Sequence, residues 1–235
     1  MTKWEWPSFL RTRAGKWALR VTLVVLVAIF LLVAAYLAAS KKPGFYHRFE
    51  STSATERRSL NDEFLKATLA SYSDIQKSGK WSLCVTDRQL NGWLSTDGPS
   101  ALRGALPREI KSPRVAINGR QIDIAAPVSY QSYSATAHVT GTISVPEPGV
   151  VALRFRSAKL GVYPFDKAKL VDMIKGSLDK PDWQLEQLDE GGDPVLRFRP
   201  KIVIEKKFEL IIESFETDDE GKCLITGSVA KVKRR

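Results

Sequence analysis

From Val21 to Ala39 the chain runs for nineteen positions without a charge, VTLVVLVAIFLLVAAYLAA, and the run has no polar face. Only Thr22 and Tyr36 bring polar side-chain atoms to it. As a helix the stretch is about 28 Å long, at about 1.5 Å per residue, close to the roughly 30 Å hydrocarbon core of a bilayer. A helix closes its own backbone hydrogen bonds and so needs no partner in lipid. The pattern predicts a transmembrane signal-anchor over residues 21–40, with a basic tail at 1–20 before it. A juxtamembrane linker at 41–50 and an α+β domain at 51–235 follow it. A cleaved signal peptide is the second reading, since Ala38-Ala39-Ser40 fits a cleavage site, and a buried core helix is the third. The length of the apolar core, and Lys41-Lys42-Pro43 directly after it, favour retention.

Beyond the linker the pattern changes to helical spacing. Leu60, Phe64, Ala67, Ser71 and Ile75 mark one stripe, widened by Leu65, Leu69 and Tyr72, and predict a helix from Ser51 to about Lys77. Ser51 or Ser53 caps it and Ser78-Gly79 ends it. A helix of that length needs a broad support, most simply a sheet. Lys80 to Val85 reads as a short strand. Thr86-Asp87-Arg88-Gln89 then matches a capping box and opens a short helix to Leu94, with Leu90, Trp93 and Leu94 together.

After a loop at Ser95–Pro113, Asn118-Gly119 joins two strand candidates, Arg114–Ile117 and Gln121–Ala125, as a two-residue hairpin. The clearest strand follows. Tyr133, Ala135, Ala137, Val139, Gly141, Ile143 and Val145 alternate with Ser132, Ser134, Thr136, His138, Thr140, Thr142 and Ser144. Period two over that length predicts a half-buried antiparallel strand. Pro146–Gly149 turns it, and Val151, Leu153 and Phe155 face inward on the return. The small residues Ala135, Ala137 and Gly141 leave room for a helix, or an acyl chain, to approach the sheet.

Asp166 caps a second helix with Leu170, Met173, Ile174 and Leu178 on one side. A less regular piece around Trp183 and a Gly191–Pro194 turn precede three closing strands, Val195–Ile204, Lys207–Phe215 and Lys222–Val232, the last two joined at Asp218–Gly221. The expected fold class is α+β, a long helix on a curved antiparallel sheet of six to seven strands with one or two short helices.

Charge refines the placement. Residues 1–20 and 41–60 each carry five Lys or Arg, so the positive-inside count is a tie. Long domains translocate largely regardless of charge and the first flank usually dominates. The tail is therefore read as cytoplasmic and the domain as extracytoplasmic, of periplasmic type, on a single-pass cell-membrane protein. Of the net +10, the domain from Lys41 onward holds +6, from 31 bases and 25 acids. That excess suits an anionic bilayer surface. The bases are dispersed and no nucleic-acid motif accompanies them, so nucleic acid is not an expected partner. At the C-terminus, Lys231, Lys233, Arg234 and Arg235 are read either as a solvated end or as a contact for lipid head groups.

Catalytic and metal motifs are absent: HExxH, CxxC, a Walker loop and GxSxG do not occur. His47 and His138 are the two histidines, neither with a local partner, and His138 is read as a solvated strand residue. Asp218, Asp219 and Glu220 are read as solvated turn acids. Cys84 and Cys223 lie in separate strands, either paired as a disulfide or buried as two small apolar residues. An enzyme is not expected, and nothing implies a cofactor or a metal.

Three stretches resemble a family. Thr86–Leu94 (TDRQLNGWL) is similar to the T-x-x-x-hydrophobic-N-x-hydrophobic-L helix of YpmS-like envelope proteins. Ser112–Ile117 with Asn118-Gly119 resembles their following hairpin, and Lys159–Phe165 (KLGVYPF) their G-x-x-P strand exit. The likeness covers about residues 81–178. With the more distant LmeA-like lipoproteins, such proteins resemble the tubular lipid-binding class, which implies apolar cargo held between a long helix and a curved sheet. This chain has no lipidation cysteine near its apolar run, so its helix would be the anchor.

Together these expectations give a membrane-anchored envelope protein that binds lipid or another amphiphile non-covalently. The expected lipid-contacting residues are Leu60, Phe64, Leu90, Trp93, Leu94, Ala137, Val139, Ile143, Leu153 and Phe155; packed on one another, the same residues would be an ordinary core. The alternative is a membrane-tethered scaffold that recruits an envelope protein partner through the strand face Ser132–Ser144.

Overall fold

The computed structural model describes residues 13–102, 110–130, 133–178, 184–204 and 208–231. Helix α1 (Arg13–Ala39) contains the whole apolar run and stands bare, with Leu23, Phe30 and Leu32 at 61%, 71% and 71% exposure. Among the described residues no single helix is long and apolar enough to cross a membrane. Leu23–Ala39 taken with the next helix, at a 65° bend, meets that length and composition. That next helix, α2 (Gly44–Glu50), occupies the expected linker. The linker is thus structured: Tyr46 and Phe49 are buried, and α2 packs on the first strand of the large sheet.

Helix α3 (Ala54–Ser78) begins where Ser53 Oγ accepts from the Glu56 N–H and ends at Gly79. Its expected stripe is the covered one, with Ser71 and Ile75 buried and Phe64 and Ala67 packed into a core cluster. Leu65 and Leu69 remain exposed. Strand β1 (Lys80–Thr86) leads into α4 (Asp87–Ser95), where both halves of the capping box form between Thr86 and Gln89. Gly92 lets α4 come so close to α3 that an added methyl would meet Leu60 Cβ at 2.6 Å. A short α5 (Gly98–Ala101) follows.

The Asn118-Gly119 hairpin joins β2 (Arg114–Asn118) to β3 (Gln121–Tyr130), and β4 (Tyr133–Glu147) pairs with β5 (Val150–Leu160). A two-residue β6 (Tyr163–Pro164) folds back on the end of β5, and α6 (Lys167–Leu178) is capped by Asp166 Oδ1 accepting from Ala168 N–H. On α6 the covered side chains are Leu170, Val171 and Ile174, while Met173 is 64% exposed, so the apolar stripe is turned from the expected one. The last strands are β7 (Glu186–Glu190), β8 (Asp193–Phe198), β9 (Ile202–Ile204), β10 (Phe208–Thr217) and β11 (Lys222–Lys231).

These strands form two antiparallel sheets. One has four strands in the order β1-β11-β10-β9; the other has seven, β2-β3-β4-β5-β8-β7 with β6 beside β5. The α+β class matches expectation, but the one expected sheet of six to seven strands is divided into two, with β1, β10 and β11 in the smaller. The expected single strand Val195–Ile204 is instead two: the chain leaves the large sheet after Phe198, passes Pro200, and enters the small one at Ile202. Proline has no N–H for a ladder, which suits a crossing point. Nor does the long helix lie across the large sheet. Its principal neighbours are α4 and β1, and it reaches the large sheet at the β2 edge, where Phe64 and Ala67 join Val115 and Ile117. Register shifts at Thr140/Gly141 and Ser144/Glu147 bend and twist β4 and β5. The basic tail before Arg13, Trp183, Lys207, Val232 and the last basic residues lie outside the described residues.

Candidate functional site

The ten residues expected to contact lipid fall into two groups. Phe64 belongs to a cluster built on Val85, Ile117 and Cys223, and its ring stacks on Trp93 at 5.2 Å between centroids. Leu60, Leu90 and Trp93 are half-buried around it and Leu94 is buried. Val139, Leu153 and Phe155 belong to a second cluster, with Val171 of α6 and Leu196 of β8. Ala137 and Ile143 are half-buried in β4.

What relates the two groups is strand register. Val115 pairs with Ile124, Ile124 with Val139, and Val139 with Ala158, so the four side chains form one row across β2, β3, β4 and β5. Register partners in an antiparallel sheet share a face. One end of the row packs into the first cluster, which includes α3, and the other into the second, which includes α6. Ile124 stands between them at 44% exposure. The next row toward β4's far end, Ile117–Ile122–Gly141–Phe155, is covered, with those three large side chains at 4%, 8% and 6%. The next row toward β4's start is made of small residues, Ala126 and Ala137, ending at Leu160; Ala126 is buried at 6% exposure and the other two are half-buried. The result is a set of apolar rows on one face of the large sheet, packed into a cluster on each side, with Ile124 the exposed member between them.

The opposite face is polar and largely covered. Asp123 is 6% exposed and accepts from Thr140 Oγ1 at 2.7 Å, Gln121 Nε2 at 3.0 Å and Asn118 Nδ2 at 3.3 Å. His138 Nε2 lies 3.0 Å from the same carboxylate, with the Phe45 ring 5.6 Å away. Burial alone would raise the Asp123 pKa, but these donors outweigh it and hold the carboxyl well below its ordinary range. His138 is therefore not the solvated residue expected; its side chain is 19% exposed. Thr136 and Thr140 are buried as well. The face proposed for a scaffold is thus occupied by the chain itself over its middle.

Covering that face at β4's start is the end of α1. Ser40 Oγ donates to Ser134 O at 3.0 Å, Thr136 Oγ1 donates to Ser40 O at 3.2 Å, and Val162 N–H donates to Ala38 O at 3.1 Å. Gly161 has φ +61° and lies so close to the carbonyls of Ala38 and Ala39 that a Cβ has no room. One of the carbonyls left open at the helix C-terminus, that of Ala38, is satisfied by the β5–β6 turn. The apolar helix and the domain are welded.

Sequence reasoning passed over three residues. Ile124 sat in an expected strand, alternating with Asp123, yet its row mates depend on pairings between strands. Asp123 carries no local sign of its four partners. Asn91 belongs to the TDRQLNGWL stretch, and its side chain replaces a missing strand: Oδ1 accepts from Val115 N–H at 2.9 Å and Nδ2 donates to Val115 O at 2.6 Å. Along the exposed edge of β2, one side chain does what a neighbouring strand would do.

The two cysteines are free, Cys84 exposed and Cys223 buried. Val85 pairs with Cys223 and Cys84 with Leu224, so the two thiols point to opposite faces of the β1–β11 pair, the wrong arrangement for the disulfide considered above. Burial pushes the Cys223 thiol up to about 11. Asp218 Oδ1 caps its own turn by accepting from the N–H groups of Glu220 and Lys222, as expected of turn acids. A cavity of about 480 Å³ nearby is lined by Arg48, Asp87, Arg88, Asp219 and Glu220, a mixed-charge surface unlike the apolar rows. Among the described residues no group of three or more His, Cys, Asp or Glu is placed to hold a metal ion. Comparison with family models, with curated proteins and with solved structures finds no match to this chain.

Proposed function

We propose that this chain is a single-span envelope protein whose extracytoplasmic domain takes up the acyl part of a lipid in a trough floored by Ile124. The carrying observation is the row Val115–Ile124–Val139–Ala158, packed at both ends and open at its second residue. An isoleucine left 44% exposed between two hydrophobic clusters is a place where apolar cargo gains contact on three sides. Each CH₂ buried there contributes about 0.8 kcal/mol, so a stretch of six to eight carbons would contribute roughly 5–6 kcal/mol before ordering costs.

The bare helix α1 serves as the anchor in this reading, its charge-free run in the bilayer, its basic flank cytoplasmic and the domain outside. The weld sets the trough relative to the membrane. Thr136, bonded to Ser40, lies between Ala135 and Ala137 in β4, so in this reading the small-residue row is the one nearer the anchor. Cargo would enter from the bilayer side. Helix-and-sheet enclosure of apolar cargo is also what the likeness to YpmS-like and LmeA-like proteins implies, with the difference that α3 forms a side wall and not a lid.

The strand-face scaffold has less support, because Thr136, His138 and Thr140 are engaged by the chain's own α1 end, Asp123 and Phe45. Native mass spectrometry of the full chain, released from membranes in mild detergent, tests the lipid reading. A reproducible added mass that organic extraction identifies as lipid is expected; a bare chain that gains no mass from added phospholipid overturns it.

A further inference from the structure

The β5–β6 turn carries two exposed apolar side chains at its tip, Val162 at 49% and Tyr163 at 43% exposure. The turn is not free to place them at random. The Val162 N–H donates to the Ala38 carbonyl near the end of α1, and Gly161 leaves no gap between turn and helix. The tip is therefore held beside the point where the apolar run ends. The flanking sequence on both sides is basic, with Lys42 paired to Glu50 and Asp166 the next acid along the chain. Lys41 and Lys159 are exposed, and neither 36–43 nor 159–165 contains an acid. An exposed aliphatic and an exposed tyrosine, in segments that carry exposed lysines and held at the end of an apolar helix, match the composition of a membrane–water boundary, where tyrosine rings and lysine stems settle.

We propose that Val162 and Tyr163 are a second membrane contact, inserted at the interface of the same bilayer leaflet into which α1 emerges. This rests on the single-span reading above. The turn's contact adds to the anchor a fixed orientation: with helix and wedge both seated, the domain cannot swivel about the Lys41–Pro43 segment, and the small-residue end of the trough stays toward the lipid.

The test uses the full chain carrying Cys84→Ser, with the buried Cys223 left in place, reconstituted in vesicles of phosphatidylcholine and phosphatidylglycerol. Single cysteines replace Val162, Glu147 and Leu31 in turn, each labelled with an environment-sensitive fluorophore. Only the backbone of Val162 is used in the weld, so its side chain tolerates a label. The expected result is a blue-shifted emission at position 162 and iodide quenching several-fold weaker than at 147, which lies at the far end of β4. Quenching at 162 equal to that at 147, with 31 shielded, overturns the wedge and leaves the span standing. Iodide access at 31 overturns both.

Discussion

Ile124 and Val139 are register partners on adjacent strands, yet one is packed in a cluster with α6 and the other is nearly half open. The contrast is what the proposed lipid trough rests on. Ile124→Asp puts a charge on its floor at a site already reached by water, so the cost to folding is expected near 1 kcal/mol or less, while lipid retention is lost. Ala137→Leu fills the neighbouring row and should weaken retention with the unfolding midpoint nearly unchanged; in a filled core the same change would carry the usual overpacking penalty of about 1–3 kcal/mol. Urea unfolding beside native mass spectra separates the two effects; wild-type retention in both variants counts against the trough.

Asn91 is 3% exposed and serves both backbone groups of Val115. Asn91→Leu keeps the volume and leaves a buried donor and acceptor without partners, at about 1–3 kcal/mol each. A destabilisation of roughly 2–6 kcal/mol is expected in urea. A loss below 1 kcal/mol would mean that β2 does not depend on this side chain.

The depressed pKa of Asp123 has a definite consequence for pH. A carboxyl whose folded pKa lies below its unfolded value stabilises the fold above the unfolded pKa, near 4, and loses that contribution as pH falls through the folded value. Stability should therefore fall below about pH 5. Asp123→Asn should be less stable at neutral pH and show a flatter acid limb. Parallel acid limbs for the two proteins would remove Asp123 as the cause.

Thiol chemistry follows from the β1–β11 register. In native protein one thiol, Cys84, should react with a maleimide, and Cys223 only after denaturation. Mobility on a non-reducing gel should not change with reductant. A reductant-dependent shift of the monomer band would show an intramolecular bond and contradict the opposite-face placement.

Gly161→Val forces a Cβ into the carbonyls of Ala38 and Ala39 at a φ of +61°. The weld should open while the distant clusters stay folded, so limited proteolysis should cut between Ser40 and Gly44 much faster than in wild type, with little change in the urea midpoint. Unchanged cleavage would show that the turn does not hold the helix.

Local signals were the legible ones. Thr86 and Gln89 are three residues apart and set the start of α4 by themselves; Asn118-Gly119 and the alternation from Tyr133 to Val145 act over similarly short spans. Hidden features depend on distant partners. Alternation in β4 does not say which face is covered, and the polar face proved to be closed by Phe45, Asp123 and the end of α1. Strand β7 has the sequence EQLDE, three acids and one large apolar residue, so its period is invisible; at a sheet edge those acids discourage further pairing. Helix α2 is seven residues long, too short for a periodic signal, and is held by Tyr46 donating to Ser112 O. Expected lipid contacts such as Phe64 and Val139 were individually apolar and partly covered, as their sequence pattern indicated. The open residue between them emerged only from pairing three strands in register.

The most direct test places lipid on that residue. Full-length protein in vesicles containing a phospholipid with a photoactivatable group near the end of one acyl chain is irradiated, digested and mapped. Adducts on the peptides that carry Ile124 and Ala137, lost in Ala137→Leu, are the predicted result. Adducts confined to α1 and the Val162–Tyr163 turn would contradict the account, because they would show a chain that touches the bilayer and takes nothing out of it.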